Sequence, residues 1–118
     1  MIHYMNLHAR PFEMIMAGVK TIELRLMDEK RKLIHVGDTI VFTKAANPEH
    51  TLRATVKALH PFPSFEELYR ALPLELCGYL PEELAEASAK DMEQYYSAEK
   101  QQKYGVIGIE LVITERQD

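Results

Sequence analysis

Three short stretches of this chain alternate apolar and polar side chains with period two, and no helical crossover pattern lies between one and the next. In residues 21–26, Ile22, Leu24 and Leu26 point to one side and Thr21, Glu23 and Arg25 to the other. Residues 39–43 place Ile40 and Phe42 together, and residues 51–59 set Leu52, Ala54, Val56 and Ala58 against Thr51, Arg53, Thr55 and Lys57. Residues 106–113 are apolar on both faces apart from Glu110, the pattern of a central strand covered on both sides. Residues 1–7 read as a further, first strand. Strands in this order, without βαβ alternation, predict a small barrel or curled sheet capped by helices, with Ile22, Leu24, Leu26, Ile40, Phe42, Val56, Ile107 and Ile109 inside.

The helical signals lie between and around these strands. Residues 10–18 carry Pro11 in the first turn and Gly18 just past the end, with Phe12, Ile15 and Met16 on one face. Residues 45–50, with Asn47-Pro48, predict a turn. Ser64 followed three residues later by Glu67 is a capping-box spacing, and the helix it starts stops before Pro73. Pro81 opens a second helix expected to reach Tyr96, and Ser97 caps a last short turn ending at Gly105.

Composition bounds the function classes. The chain has 118 residues, 47% of them apolar and 27% charged, which predicts a single domain over 1–118 with one core. No stretch approaches the roughly 18 apolar residues of a membrane span, so no membrane partner is expected. The first residues, Met1-Ile2-His3-Tyr4, show no signal-peptide pattern. Cys77 is the only cysteine, so an internal disulfide and a Cys-rich zinc site are excluded, and a cytoplasmic location is expected. The five histidines show no metal-ligand spacing, and neither a metal nor a cofactor is predicted. The net charge of −4 hides an asymmetry. Residues 1–60 hold nine Lys/Arg against six Asp/Glu, whereas residues 61–118 hold five against twelve. An anionic ligand is therefore compatible with the first half, because local potential rather than net charge steers a ligand.

The densest polar cluster is Gly18-Val19-Lys20-Thr21-Ile22-Glu23-Leu24-Arg25. Gly18 turns a helix directly into a strand, and Glu23 and Arg25, two apart, share a face at roughly 7 Å. Lys20 stands at the strand mouth, with Thr21 on the face of Glu23. An ammonium, a hydroxyl, a carboxylate and a guanidinium thus meet beside a buried face. Arg recognises phosphate or carboxylate by two parallel hydrogen bonds, Lys beside an apolar wall can act as base or nucleophile, and Glu can orient it. A strand whose exposed face carries a Glu/Arg pair accounts equally for these residue types.

The string Gly18-x-Lys20-x-x-Glu23-x-Arg25 after a short helix resembles the signature of the ASCH domain family. The segment Val36-Gly37-Asp38-Thr39-Ile40-Val41-Phe42 and the stretch from Tyr95-Tyr96-Ser97 to Lys103-Tyr104-Gly105-Val106-Ile107-Gly108-Ile109 resemble that family's second segment and closing strand. The resemblance covers nearly the whole chain, the helical insert before the last strand being the part it constrains least. It implies an α+β, PUA-like mixed β-pseudobarrel of five or six strands with capping helices, a cleft at the motif, and an RNA, nucleoside or nucleotide ligand. Some small members of the family are amidohydrolases that deacetylate N(4)-acetylcytidine, with a catalytic Lys at the position of Lys20. Those enzymes carry Thr where this chain has Glu23, and use a Glu from the region before the final strand, for which Glu75 and Glu99 are both candidates here. Other members are ribonucleases or RNA-binding domains.

The candidate site is accordingly Lys20 and Glu23 for chemistry, with Thr21, Arg25, Tyr96, Ser97, Lys103 and Tyr104 for ligand binding. Tyr95 follows a helical period and is assigned to packing; Tyr96 and Tyr104 are the better candidates for stacking a base. Lys30-Arg31-Lys32 reads as a basic loop, available to phosphates or simply solvated. No helix-turn-helix pattern is present, so double-stranded DNA readout is not expected. Two functions remain, beside a third reading as a sensor domain that binds some other small anion. One is a module that binds RNA or a nucleotide through Lys20, Arg25, Lys103 and the basic loop. The other is a hydrolase acting on a modified nucleoside or on RNA, with Lys20 as base or nucleophile. A buried Lys20 beside a carboxylate in a pocket for one base favours the enzyme; an open basic groove favours the module.

Overall fold

The apolar faces of the alternating segments assemble, in a computed structural model that describes residues 1–117, into one five-stranded mixed sheet. The strands are β1 (Ile2–Leu7), β2 (Ile22–Leu26), β3 (Thr39–Lys44), β4 (Asn47–Phe62) and β5 (Val106–Gln117), in the order β1-β3-β4-β5-β2. β1 runs parallel to β3 and the other neighbours are antiparallel. The doubly apolar β5 lies between β4 and β2, with Ile107 and Ile109 fully buried. The helices are α1 (Ala9–Met16), α2 (Phe65–Ala71) and α3 (Ala98–Tyr104), with 3₁₀ turns at Arg31–Leu33, Leu74–Leu76, Pro81–Glu86 and Ala89–Gln94. The fold is α+β, a curled half-barrel of the kind the sequence resemblance implies.

The sheet does not close by backbone pairing, because β1 and β2 are its two edges. Side chains stitch the seam instead: Arg25 on β2 donates Nη2 to the Asn6 carbonyl at 2.8 Å, and Lys30 donates to the Tyr4 carbonyl at 3.0 Å. Edge carbonyls that would otherwise invite another strand are thereby occupied.

The strand residues expected inside are all buried, but they form two cores rather than one. Ile40, Phe42, Val56, Ile107 and Ile109 pack with Phe12 and Ile15 of α1 inside the half-barrel. Ile22, Leu24 and Leu26 face the opposite way, against Phe65, Leu68 and Met92 of the insert between β4 and β5. Gly108 permits that contact: a Cβ there would stand 2.7 Å from Leu72 Cδ1, at the end of α2.

Two segments differ from the sequence expectation. Residues 45–50 are not all turn, because β4 begins at Asn47 and runs 16 residues. Pairing with β3 on one side and β5 on the other overrides the local Asn-Pro signal, and Pro48 falls at the register shift next to Lys44, where a ladder N–H is dispensable. The helix expected from Pro81 to Tyr96 is two 3₁₀ turns broken at Ala87-Ser88. Ser88 accepts from the Lys90 amide at 3.2 Å, and the Asp91 carboxylate accepts from the Ser88 amide at 3.2 Å, a local cap that competes with helix continuation. No helix among the described residues is long and apolar enough to cross a membrane.

Candidate functional site

The junction from α1 to β2 builds the floor of the site. Gly18 adopts φ +81°, and the Val19 and Lys20 amides both donate to the Met14 carbonyl, at 3.0 and 3.1 Å. This tight reversal swings Lys20 inward, so that its side chain is only 9% exposed. Its Nζ lies 2.9 Å from Glu23 Oε1, and Arg25 Nε donates to Glu23 Oε2 at 2.7 Å. One buried carboxylate thus holds two cations, one on each oxygen. Burial alone would push the Glu23 carboxyl up, but Lys20 and Arg25 outweigh it and hold it below its ordinary 4.5. For Arg25, burial opposes the charge and Glu23 more than restores it. Gly78, from the insert, closes over the Lys20 stem. A Cβ there would meet Lys20 Cδ at 3.4 Å, and φ of +111° is a conformation only glycine adopts readily.

Above this floor is a cleft of about 670 Å³, lined by the end of β1, the start of α1, β2 and the insert. Its walls carry Tyr69, Tyr79, Tyr95, Tyr96 and His8. Tyr96 stacks on Phe65 with ring centroids 6.2 Å apart, and Tyr95 lies at the same distance from His8. A chain of hydroxyls runs along one side. Tyr79 donates to Asp91 Oδ2 at 2.7 Å, which spends its one proton, so the 2.7 Å contact with Tyr69 is donated by Tyr69. Burial raises the Tyr69 phenol to about 12, and burial together with the bond that Tyr79 donates to Asp91 raises Tyr79 further. Cys77 also lines the cleft, and burial lifts its thiol to about 11, so it is a neutral group there. At the rim, Arg10 Nη2 pairs with Glu83 at 2.5 Å.

Of the sequence-derived candidates, the structure brings Lys20, Glu23, Arg25 and Tyr96 to this cleft. Thr21 turns to a second hollow of about 270 Å³, with Ile15, Gly18 and Leu111. Ser97 caps α3, accepting from the Lys100 amide at 3.2 Å. Lys103 lies 5.1 Å over the Tyr104 ring, and Tyr104 packs against the core beneath the insert. None of Ser97, Lys103 and Tyr104 is a lining residue. Glu75 and Glu99 are exposed and outside the cleft; the carboxylates that the insert supplies to it are Glu83 and Asp91. In the basic loop, Lys30 is spent on the β1 seam, Arg31 pairs with Asp28 at 3.3 Å and Lys32 with Glu29 at 3.6 Å. Tyr95, assigned to packing by a 3.6-residue period, is 53% exposed at the cleft. Its segment is 3₁₀, with three residues per turn, and the helical phase does not apply. Sequence reasoning also passed over His8, Arg10, Tyr69, Tyr79, Glu83 and Asp91. The one legible signal among them is Asp91, three residues after Ser88 at capping-box spacing. Among the described residues no cluster of three or more His, Cys, Asp or Glu side chains is arranged to hold a metal ion.

The sequence profile of the ASCH domain matches residues 5–115. Among solved structures, the hypothetical protein PH0355 is 34% identical, with a TM-score of 0.79 over 97% of this chain and 100% of that one. Protein PF0455 from Pyrococcus furiosus is also 34% identical, with a TM-score of 0.71 over 98% of this chain and 99% of the other. An ASCH protein from Zymomonas mobilis shares the fold at 14% identity, with a TM-score of 0.68 over 98% of this chain and 69% of that one. No curated protein matches the chain.

Proposed function

This chain belongs to the ASCH domain family, and we propose that its cleft binds one nucleoside or nucleotide unit, free or presented by single-stranded RNA. The observation that carries this reading is an aromatic wall over a cationic floor: Tyr95, Tyr96 and His8 above Lys20 and Arg25. A planar base stacks on aromatic rings whatever its sequence, and ammonium and guanidinium donors suit the oxygens of a base, ribose or phosphate. About 670 Å³ is room for a base with its sugar, and lies within the usual range of roughly 300–1,000 Å³ for small-ligand sites. Because Glu23 is ionised and both its oxygens are occupied, the floor supplies hydrogen-bond donors rather than a free base.

A second reading, hydrolysis of an amide on a modified nucleoside such as N(4)-acetylcytidine, draws on the burial of Lys20 in a cleft sized for one base. Water would add to the acyl carbonyl carbon while Arg25 holds the oxyanion, Lys20 would pass its ammonium proton to the leaving nitrogen and take one back from the added water, and the C–N bond would break to release the carboxylic acid and the free amine. One experiment addresses both readings. The protein is titrated with cytidine, N(4)-acetylcytidine and a short single-stranded RNA, following fluorescence of its six tyrosines in the absence of tryptophan, and the mixtures are then analysed by mass spectrometry. Saturable binding lost in Lys20→Ala, with no product, supports the binding site. Product formed by the wild type and lost in Lys20→Arg, with binding kept, supports the hydrolase, because Arg keeps the charge but does not give up its proton. Binding and turnover both intact in Lys20→Ala overturn the assignment of the site.

A further inference from the structure

The cleft has three Lys/Arg side chains on its lining, and they are not equally committed. Lys20 and Arg25 share Glu23 in a buried triad. Arg10 stands at the mouth, 56% exposed, and among the described residues its side chain makes one hydrogen bond, from Nη2 to Glu83. Its partner does not depend on it. Glu83 also accepts from the Leu80 amide at 2.8 Å, completing the cap of its own 3₁₀ turn, and stays satisfied when the guanidinium leaves. An exposed ion pair of this kind contributes little to stability. A guanidinium has five donors in a fork that fits two phosphate oxygens at once, and most of that fork is unused here.

We propose that Arg10 is the phosphate-reading residue of the cleft and Glu83 its exchangeable placeholder, so that the site selects a nucleotide over the corresponding nucleoside. The inference rests on the reading of the cleft as a nucleoside site and adds the ligand's charge class to it. A phosphate at the mouth takes the Arg10 fork and displaces Glu83, while the base enters between the tyrosines and the buried triad. The exchange costs the protein one weak surface pair and returns two charge-assisted hydrogen bonds.

The test is the ratio of affinities for cytidine 5′-monophosphate and cytidine at low ionic strength, read by tyrosine fluorescence. The wild type is expected to favour the nucleotide by roughly tenfold, and Arg10→Ala to remove about that factor. Arg10→Lys should recover part of the ratio, as a point charge without the fork. Glu83→Gln should raise it a few-fold (on the order of an exposed ion pair), because the amide oxygen still caps Leu80 while no longer holding the guanidinium charge. Inorganic phosphate should compete with the nucleotide and not with the nucleoside. Equal affinities in the wild type, or a ratio that Arg10→Ala does not move, overturn the role of Arg10 and leave the nucleoside site standing. A fall in both affinities alike marks Arg10 as structural and overturns the proposal. If neither compound binds, the nucleoside reading falls and the proposal with it.

Discussion

Glu23 is the residue on which the site turns, because its one carboxylate holds both buried cations and cancels one of their two charges. Lys20, Glu23 and Arg25 have side chains only 9%, 5% and 14% exposed. Taking the carboxylate away leaves two cations in a poorly solvated place, and breaking a buried pair this way costs about 3–5 kcal/mol. Glu23→Ala is therefore expected to lower unfolding stability by about that amount in urea denaturation. Lys20→Met, which removes one cation and leaves Glu23 with Arg25, should cost clearly less. Equal losses in the two variants would show that Glu23 does not hold the pair together. The types and spacing of these three residues were legible in the sequence, since a period of two puts Glu23 and Arg25 on one face. That the face is buried rather than solvent-exposed was not, because burial comes from Gly78 and the tyrosines, more than forty residues away in the chain.

At the scale of elements, Asp38 ties the start of β1 to the turn before β3. Its carboxylate meets His3 Nε2 at 2.8 Å, the His35 amide at 3.0 Å and the Met1 amine at 3.4 Å. The hydrogen bonds from His3 and the His35 amide, with the Met1 charge, hold its carboxyl down at about 2 against an ordinary 3.8. A carboxyl that is more acidic folded than unfolded adds stability above its unfolded value, and that stability is lost as pH falls through the folded value. The gap between wild type and Asp38→Asn should be full above about pH 5 and close progressively toward pH 2, as followed by thermal unfolding across that range. A gap that stays constant over the window would show that the clamp does not titrate. The segment Val36-Gly37-Asp38-Thr39 was readable as a turn, but its service to β1 was not. β1 joins β3 in parallel across an intervening helix and strand, and local sequence carries no record of that partner.

For the whole molecule, the two cores divide the labour. The half-barrel core holds the sheet, and the second core, beneath the insert, shapes the cleft. Phe65, 1% exposed, belongs to the second core and is the surface on which Tyr96 stacks. Phe65→Ala is expected to cost about 3–5 kcal/mol, the usual penalty for emptying an aromatic site in a core. It should also weaken ligand binding, because Tyr96 loses its backing. Phe65→Leu should keep most of the stability and still perturb the Tyr96 wall, a separation visible by comparing denaturation with ligand titration. Undiminished binding in both variants would detach the second core from the site. The strands apart from the start of β4, the first helix, the helix caps at Ser64 and Ser97 and the Lys20-Glu23-Arg25 constellation follow from sequence alone, since each rests on local period, spacing or capping chemistry. The split into two cores, the insert's break into 3₁₀ turns and the entry of Arg10, Tyr69, Tyr79, Glu83, Asp91 and Tyr95 into the cleft were decided only in three dimensions. These features depend on which face of β2 the insert covers, a choice made by non-local packing between segments about forty residues apart, and period-two alternation shows that a face is buried without saying what buries it.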